Sequence, residues 1–169
     1  LPCGFWGNVS RDSYSDDNVA STKIFRPILP AEVELGRIKG SRFIANLAPV
    51  SSLGAAAEFL ASVSLLHPSA SHHCYAWRLA SGESRSSDDG EPRGSAGPPI
   101  LRRLESCPGI HGERAEIVDA AIVVTRYFGG TKLGIGGLIR SYGAAAAEVL
   151  STAKLEQARK LSVVSFRHS

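Results

Sequence analysis

The chain has 169 residues, 43% of them hydrophobic and 21% charged, with a net charge of +3. That length suits one domain with an ordered tail, and the composition is that of a globular protein rather than a disordered or fibrous one. The mild excess of cations permits contact with nucleic acid or a ribosome without requiring it, and no apolar run approaches the roughly 18–20 residues a membrane helix needs.

Residues 1–21 read as an irregular arm, because residues 10–21 carry three Asp, one Arg and one Asn among isolated apolar positions. The first residues lack a basic stretch followed by a long apolar one, so no signal peptide is expected. A start at Leu1 rather than Met reads as trimmed, with room for flanking domains. Cys3, Cys74 and Cys107 form no Cys-x-x-Cys pair, which points to a reducing compartment and hence the cytoplasm.

Residues 22–153 are expected to form a single α/β domain. Ile24 and Ile28 predict a first strand over 22–29, with Pro27 and Pro30 marking an edge. Residues 31–40 read as a connection closed by Gly40. Phe43, Ala45 and Leu47 share one face of a strand over 41–48 that Pro49 stops. Ser51 or Ser52 then caps a helix in which Leu53, Ala56, Ala57, Leu60 and Val63 recur at helical spacing. His67-Pro68 ends it, since a residue before proline leaves the helical region. A strand over 71–79 sends His73, Tyr75, Trp77 and Leu79 one way, and His72, Cys74, Ala76 and Arg78 the other.

Residues 81–97 are turn chemistry and charge, a stretch long enough to be functional. Pro98 and Pro99 suit the first turn of a helix running from about Ile100 through Leu104. Residues 109–116 read as a polar loop. Residues 117–128 form the longest strand, and the continuously apolar 120–124 place it centrally. The last helix turns Leu138, Tyr142, Ala145 and Val149 inward and Arg140, Ser141, Ala144, Glu148 and Ser151 outward. Residues 154–169 read as a tail with a short strand at 162–166.

Between the longest strand and the last helix lies Gly129-Gly130-Thr131-Lys132-Leu133-Gly134-Ile135-Gly136-Gly137. A strand that enters a helix through glycines leaves backbone N–H groups at the positive end of the helix dipole, which favours an anion. Gly134, Gly136 and Gly137 would let the backbone approach it, and Arg126, Lys132 and Arg140 would neutralise it. The plainer reading is that these glycines only permit positive φ and close helix–sheet packing. The order lacks the Gly-Lys-Ser/Thr of a nucleotide-binding loop.

Ser87, Asp88, Asp89, Gly90 and Glu91 offer either a carboxylate cluster for a metal or acid–base work, or a turn stabilised by Asp with Gly supplying positive φ. If the loop folds back, its acids pair with Arg126 or Lys132. His72 and His73 point to opposite faces and cannot share an ion. His73, Tyr75 and Trp77 form either an open aromatic platform or a face covered by helices. No metal or cofactor is expected. No Ser-His-Asp order or nucleophile elbow stands out, and neither Cys74 nor Cys107 has an activating neighbour, so no catalytic residue is assigned.

Three motifs occur in order: His72-His73-Cys74-Tyr75-Ala76-Trp77, then the stretch from Ser86 to Leu101, then the stretch from Val124 to Gly143. With Ser41-Arg42-Phe43-Ile44 they resemble the IMPACT/YigZ family from about Lys39 to about Leu150. The resemblance implies an α+β, ribosomal protein S5 domain 2-like fold: a mostly antiparallel, mixed sheet with helices packed on one face. It implies translation regulation and stress response. The implied partner is a regulatory protein of the translation machinery, the ribosome or RNA, with actin implied as well and no membrane. Eukaryotic members add an RWD domain and bacterial members a ferredoxin-like one; no RWD-like segment is seen before residue 39, and the residues after Leu150 are too few for a full ferredoxin-like domain. The expectation is a non-catalytic binding module that engages its partner through the cationic glycine turn. The alternative is a phosphate- or nucleotide-binding enzyme related to small-molecule kinases of the same superfamily, with Asp88 or Asp89 holding a metal.

Overall fold

A computed structural model describes residues 22–110 and 113–158. Its elements in chain order are β1 (Lys23–Pro27), β2 (Ala31–Glu34), β3 (Arg42–Pro49), α1 (Leu53–Leu66), β4 (His72–Arg78), β5 (Ser84–Ser87), α2 (Gly97–Glu105), β6 (Cys107–Ile110), β7 (Glu113–Ile117), β8 (Ala120–Tyr127), α3 (Gly134–Thr152) and β9 (Leu155–Gln157). The apolar strands β3, β8 and β4 lie at the middle of an antiparallel sheet ordered β2-β3-β8-β4-β5. A second sheet, β6-β7-β1-β9, pairs β1 parallel to β7 and antiparallel to β9.

The pleat sorts the side chains. Phe43, Ala45 and Leu47 on β3, Ile122 and Val124 on β8, and Cys74 and Ala76 on β4 share one face, buried under Ile100 and Leu104 of α2 and Leu138, Tyr142, Ala145 and Val149 of α3. Burying side chains such as Leu47 and Ile122 contributes roughly 1.5–3 kcal/mol each. Fully buried Ala145 and Ala146 let α3 lie close to this face. The opposite face carries Ala121 and Trp77, which pack with Val50, Leu79, and Ala56 and Phe59 of α1. The fold is thus α+β, with α2 and α3 layered on one face as expected and α1 added on the other.

Several short elements depart from the sequence reading. Residues 31–34 are a strand, not part of a connection: Ala31 and Val33 pack inward while Glu32 bonds Asn46 and Glu34 bonds Arg42. Four residues after a proline are too few for alternation to stand out. Residues 84–87 are also a strand, held to β4 through the backbone. With no apolar residue, Ser-Arg-Ser-Ser carries no periodic signal. The expected polar loop at 109–116 is mostly β6 and β7, with Cys107 opposite Ala115.

The long strand expected over 117–128 runs only over β8, Ala120–Tyr127, while Ile117 ends β7. Asp119 at φ 52° redirects the chain from the second sheet into the first. Its carboxylate accepts from the Ala80 N–H at 2.8 Å, and its carbonyl accepts from Val50 N–H at 2.9 Å. Ser141 is buried rather than outward, donating to the Gly137 carbonyl at 2.8 Å. The expected arm over 1–21 and strand at 162–166 lie outside the described residues.

Candidate functional site

The motifs meet where β8 ends, α3 begins and residues 88–97 cross beneath them. Asp88 shows why that loop has its sequence. Its carboxylate accepts from the N–H groups of Gly94 at 2.7 Å and of Ala96 and Gly97 at 2.9 Å. Ala96 has no capping side chain, so Asp88 supplies the cap of α2 from outside the helix. Burial alone would raise the Asp88 carboxyl, but these N–H donors and the Arg93 charge hold it below its ordinary value. Gly97 is required by close approach, because a Cβ there would sit 2.7 Å from the Ser87 backbone.

Asp89 and Gly90 take positive φ, 40° and 83°. Asp89 then accepts the His73 N–H at 2.6 Å through its carboxylate and meets His72 Nδ1 at 2.7 Å through its carbonyl. The Ser87 hydroxyl accepts the Asp89 N–H at 3.2 Å. The three acids therefore diverge rather than converge. Among the described residues no three His, Cys, Asp or Glu side chains gather in a way that could hold a metal ion.

Glu91 points inward. Its Oε1 accepts from Arg126 Nη1 at 2.6 Å and from the Tyr142 hydroxyl at 2.7 Å, with His72 Nε2 at 3.8 Å. Arg126 Nη2 donates to Ser41 Oγ at 3.3 Å, and the Gly129 N–H donates to the same oxygen at 3.1 Å. The guanidinium lies 5.6 Å from the centroid of Phe43 and 5.5 Å from that of Phe128. Burial, then the neighbouring Cys74 and Glu91, raises the Tyr142 hydroxyl well above its ordinary range. Cys74 donates to the Asp88 carbonyl at 3.0 Å, and burial pushes its thiol up to about 12, so it is no nucleophile.

Of the two sequence readings of Arg126, this corrects the one that has it neutralise an anion at the glycine turn and agrees with the one that pairs it with an acid of the folded-back loop. With 4% of its surface exposed, it is a structural cation. A strand residue's face is legible from its parity, and Arg126 shares that of Val124 and Ile122, so the signal was present.

His73, Tyr75 and Trp77 lie on the α1 face and are half-buried. Trp77 packs into the small cluster under α1, and His73 Nε2 meets the His67 carbonyl at 3.1 Å. They do not form an open platform.

The glycine turn divides by role. Gly129 is needed for packing, since a Cβ would fall 2.0 Å from the Gly40 carbonyl carbon. Gly130 and Gly134 hold φ of 87° and 71°. Gly137 is tight, with a Cβ 3.1 Å from that of Leu133. Gly136 alone of these has ordinary φ and, among the described residues, meets nothing closer than the guanidinium tip of Arg140 at 3.4 Å. The helix starts at Leu133 without a side-chain cap or an acid in its first turn. Lys132, Gly134, Ile135, Gly136 and Arg140 are exposed, and Phe128 is 51% exposed beside them.

The touching turn of residues 37–40 also reaches this place, bringing exposed Arg37 and Lys39. Sequence reasoning missed these two, because long-range contacts put them there: the pairing of Arg42 with Tyr127 and the touching backbones of Gly40 and Gly129. A shallow hollow at the start of α1, lined by Ser51, Leu79, Glu83 and Asp119 among others, holds none of the motif residues.

A family model described as the Impact N-terminal domain matches residues 39–150. The chain is 41% identical over 116 residues to the IMPACT family member YvyE of Bacillus subtilis, an alignment covering 68% of this chain and 50% of that protein. It is 45% identical over 116 residues to the IMPACT family member in the pol 5′ region of Thermus thermophilus, covering 69% and 58%. The chain thus spans about half the length of these curated relatives. A crystal structure described as that of a hypothetical protein superposes with a TM-score of 0.70 at 37% identity, over 79% of this chain and 63% of the other.

Proposed function

The chain belongs to the Impact N-terminal domain family, and on that premise we propose that it is a non-catalytic binding module of the translation-regulation type, acting in the cytoplasm. It engages a regulatory protein, a ribosomal surface or RNA through the turn that starts α3. The motifs of residues 39–150 resemble a family that includes translation regulators, which supports the pathway, and the exposed glycine turn supports the place.

One observation carries the assignment. Most of the motif's polar groups are consumed internally, whereas the start of α3 is uncapped, glycine-lined and flanked by exposed Lys132 and Arg140. A helix start of this kind is a ready site for an anionic group, a carboxylate or a phosphate. Gly136 strengthens the reading. A glycine inside a helix costs about 1 kcal/mol relative to alanine, and no packing among the described residues requires it there. Close approach by a partner is a reason to keep it.

The enzyme alternative needs Asp88 or Asp89 as a metal ligand. Both Asp88 oxygens are engaged by backbone donors, and Asp89 ties down β4. The test is affinity capture of ribosomal fractions and translation regulators, with and without RNase, on parent chain and on Lys132→Glu/Arg140→Glu. The double variant is expected to lose retention by at least about tenfold, or 1.4 kcal/mol. Equal retention would overturn the site.

A further inference from the structure

The glycine turn does not stand alone at its end of the domain. The antiparallel register sets Arg42, the first residue of β3, opposite Tyr127, the last of β8. The backbones of Gly40 and Gly129 touch. The Phe128 N–H donates to Ser71 Oγ at 3.1 Å, and His67 Nδ1 meets the Tyr127 hydroxyl at 2.9 Å. These contacts bring the residue 37–40 turn, the end of α1 and the start of α3 to one rim.

That rim combines two chemistries. It exposes Leu65 at 80%, Leu66 at 70%, Ile135 at 59% and Phe128. It also carries Arg37, Lys39, Lys132 and Arg140, all exposed. Arg37 donates to the Gly40 carbonyl at 3.3 Å, and its charge adds to the Arg42 hydrogen bond that chiefly lowers the Glu34 carboxyl. The rim's acids are already engaged: Glu34 by both arms of Arg42, Asp89 by the His73 N–H, and Glu91 by Arg126. Among the described residues no salt bridge involves Lys39, Lys132 or Arg140.

We propose that the partner surface extends from the glycine turn onto residues 37–40 and the end of α1, and that its occupant is an acidic protein segment bearing apolar side chains. This rests on the binding-module reading and names the partner class for the same site. Charge complementarity selects an acidic occupant. The aliphatic side chains select a protein over a nucleic acid: bases stack on flat aromatic faces, and of the four apolar groups only Phe128 has one. Leu65, Leu66 and Ile135 gain by covering apolar side chains. A helix with acids on one side and leucines at i, i+3, i+4 and i+7 satisfies both requirements.

The test is fluorescence anisotropy on the full chain with a labelled peptide of about four helical turns, built from Glu with Leu at those spacings. A peptide with Ser replacing Leu and a single-stranded RNA of similar charge are the comparisons. The Glu/Leu peptide is expected to bind at least about tenfold tighter than either. Arg37→Glu/Lys39→Glu and Leu66→Ser/Ile135→Ser should each weaken it by about tenfold while keeping the parent melting temperature within a few degrees. Tighter RNA binding, equal binding of the Ser peptide, or no binding of the Glu/Leu peptide would overturn the proposal. If Lys132→Glu/Arg140→Glu loses binding while Arg37→Glu/Lys39→Glu does not, the extension fails and the turn survives. If Lys132→Glu/Arg140→Glu leaves all three probes unaffected, the turn fails as well.

Discussion

The buried knot around Glu91 and the open turn over residues 129–137 share Gly129 as a neighbour, yet they treat charge in opposite ways. In the knot, Glu91 and Arg126 are nearly removed from water, and Tyr142, Ser41 and two aromatic rings complete their surroundings. In the turn, Lys132 and Arg140 stay solvated and the helix start has no cap. A buried ion pair of this kind adds little net stability, but losing one partner leaves a desolvated charge. The knot therefore fixes geometry, and the turn it fixes is left available.

Removing Glu91 should give the largest effect. Glu91→Ala strands the Arg126 guanidinium, and urea melts are expected to show a loss of about 3–5 kcal/mol. Parent-like stability would mean the knot is not structural. Gly129→Ala forces its Cβ into the Gly40–Ser41 backbone, at a cost near the upper end of about 1–3 kcal/mol for overpacking. Parent-like stability of Gly129→Ala would contradict the division of glycine roles.

Asp88 sharpens the comparison through pH. Its folded carboxyl is held below the ordinary value near 3.9. Its contribution is therefore complete above about pH 4 and lost as pH falls through the folded-state value. Asp88→Asn should be less stable at neutral pH and show a flatter acid limb in thermal melts. An unchanged acid limb would remove Asp88 as the cap of α2.

Gly136→Ala should do the reverse of Gly129→Ala, raising stability by up to about 1 kcal/mol while weakening partner retention. Stabilisation with intact retention would leave Gly136 without a role at the surface. Smallest in stability terms, Lys132→Glu/Arg140→Glu should stay within about 0.5 kcal/mol of the parent and lose binding.

Much of the fold could be read directly. The alternation in 42–49 and 72–78, the serine cap at 51 or 52, the prolines opening α2 and the apolar run of β8 each encode their element locally. The short strands were not legible, because β5 has no apolar residue and β2 has only two inward positions. Asp119 was hidden inside an apolar run, where a single positive-φ residue leaves no periodic trace.

In the site, the three motifs and their order were visible, and so was the glycine-lined start of α3. Local sequence by itself determined that residues 129–137 join a strand to a helix through glycines with cations nearby, because turn chemistry and helix starts are short-range properties. Only the tertiary structure decided that Arg126 is buried against Glu91 while Lys132 and Arg140 remain exposed, and that Arg37 and Lys39 join them. Those assignments depend on which side chains lie across the sheet and on the Gly40–Gly129 contact. Both are long-range, set by how the layers pack rather than by any one stretch of chain.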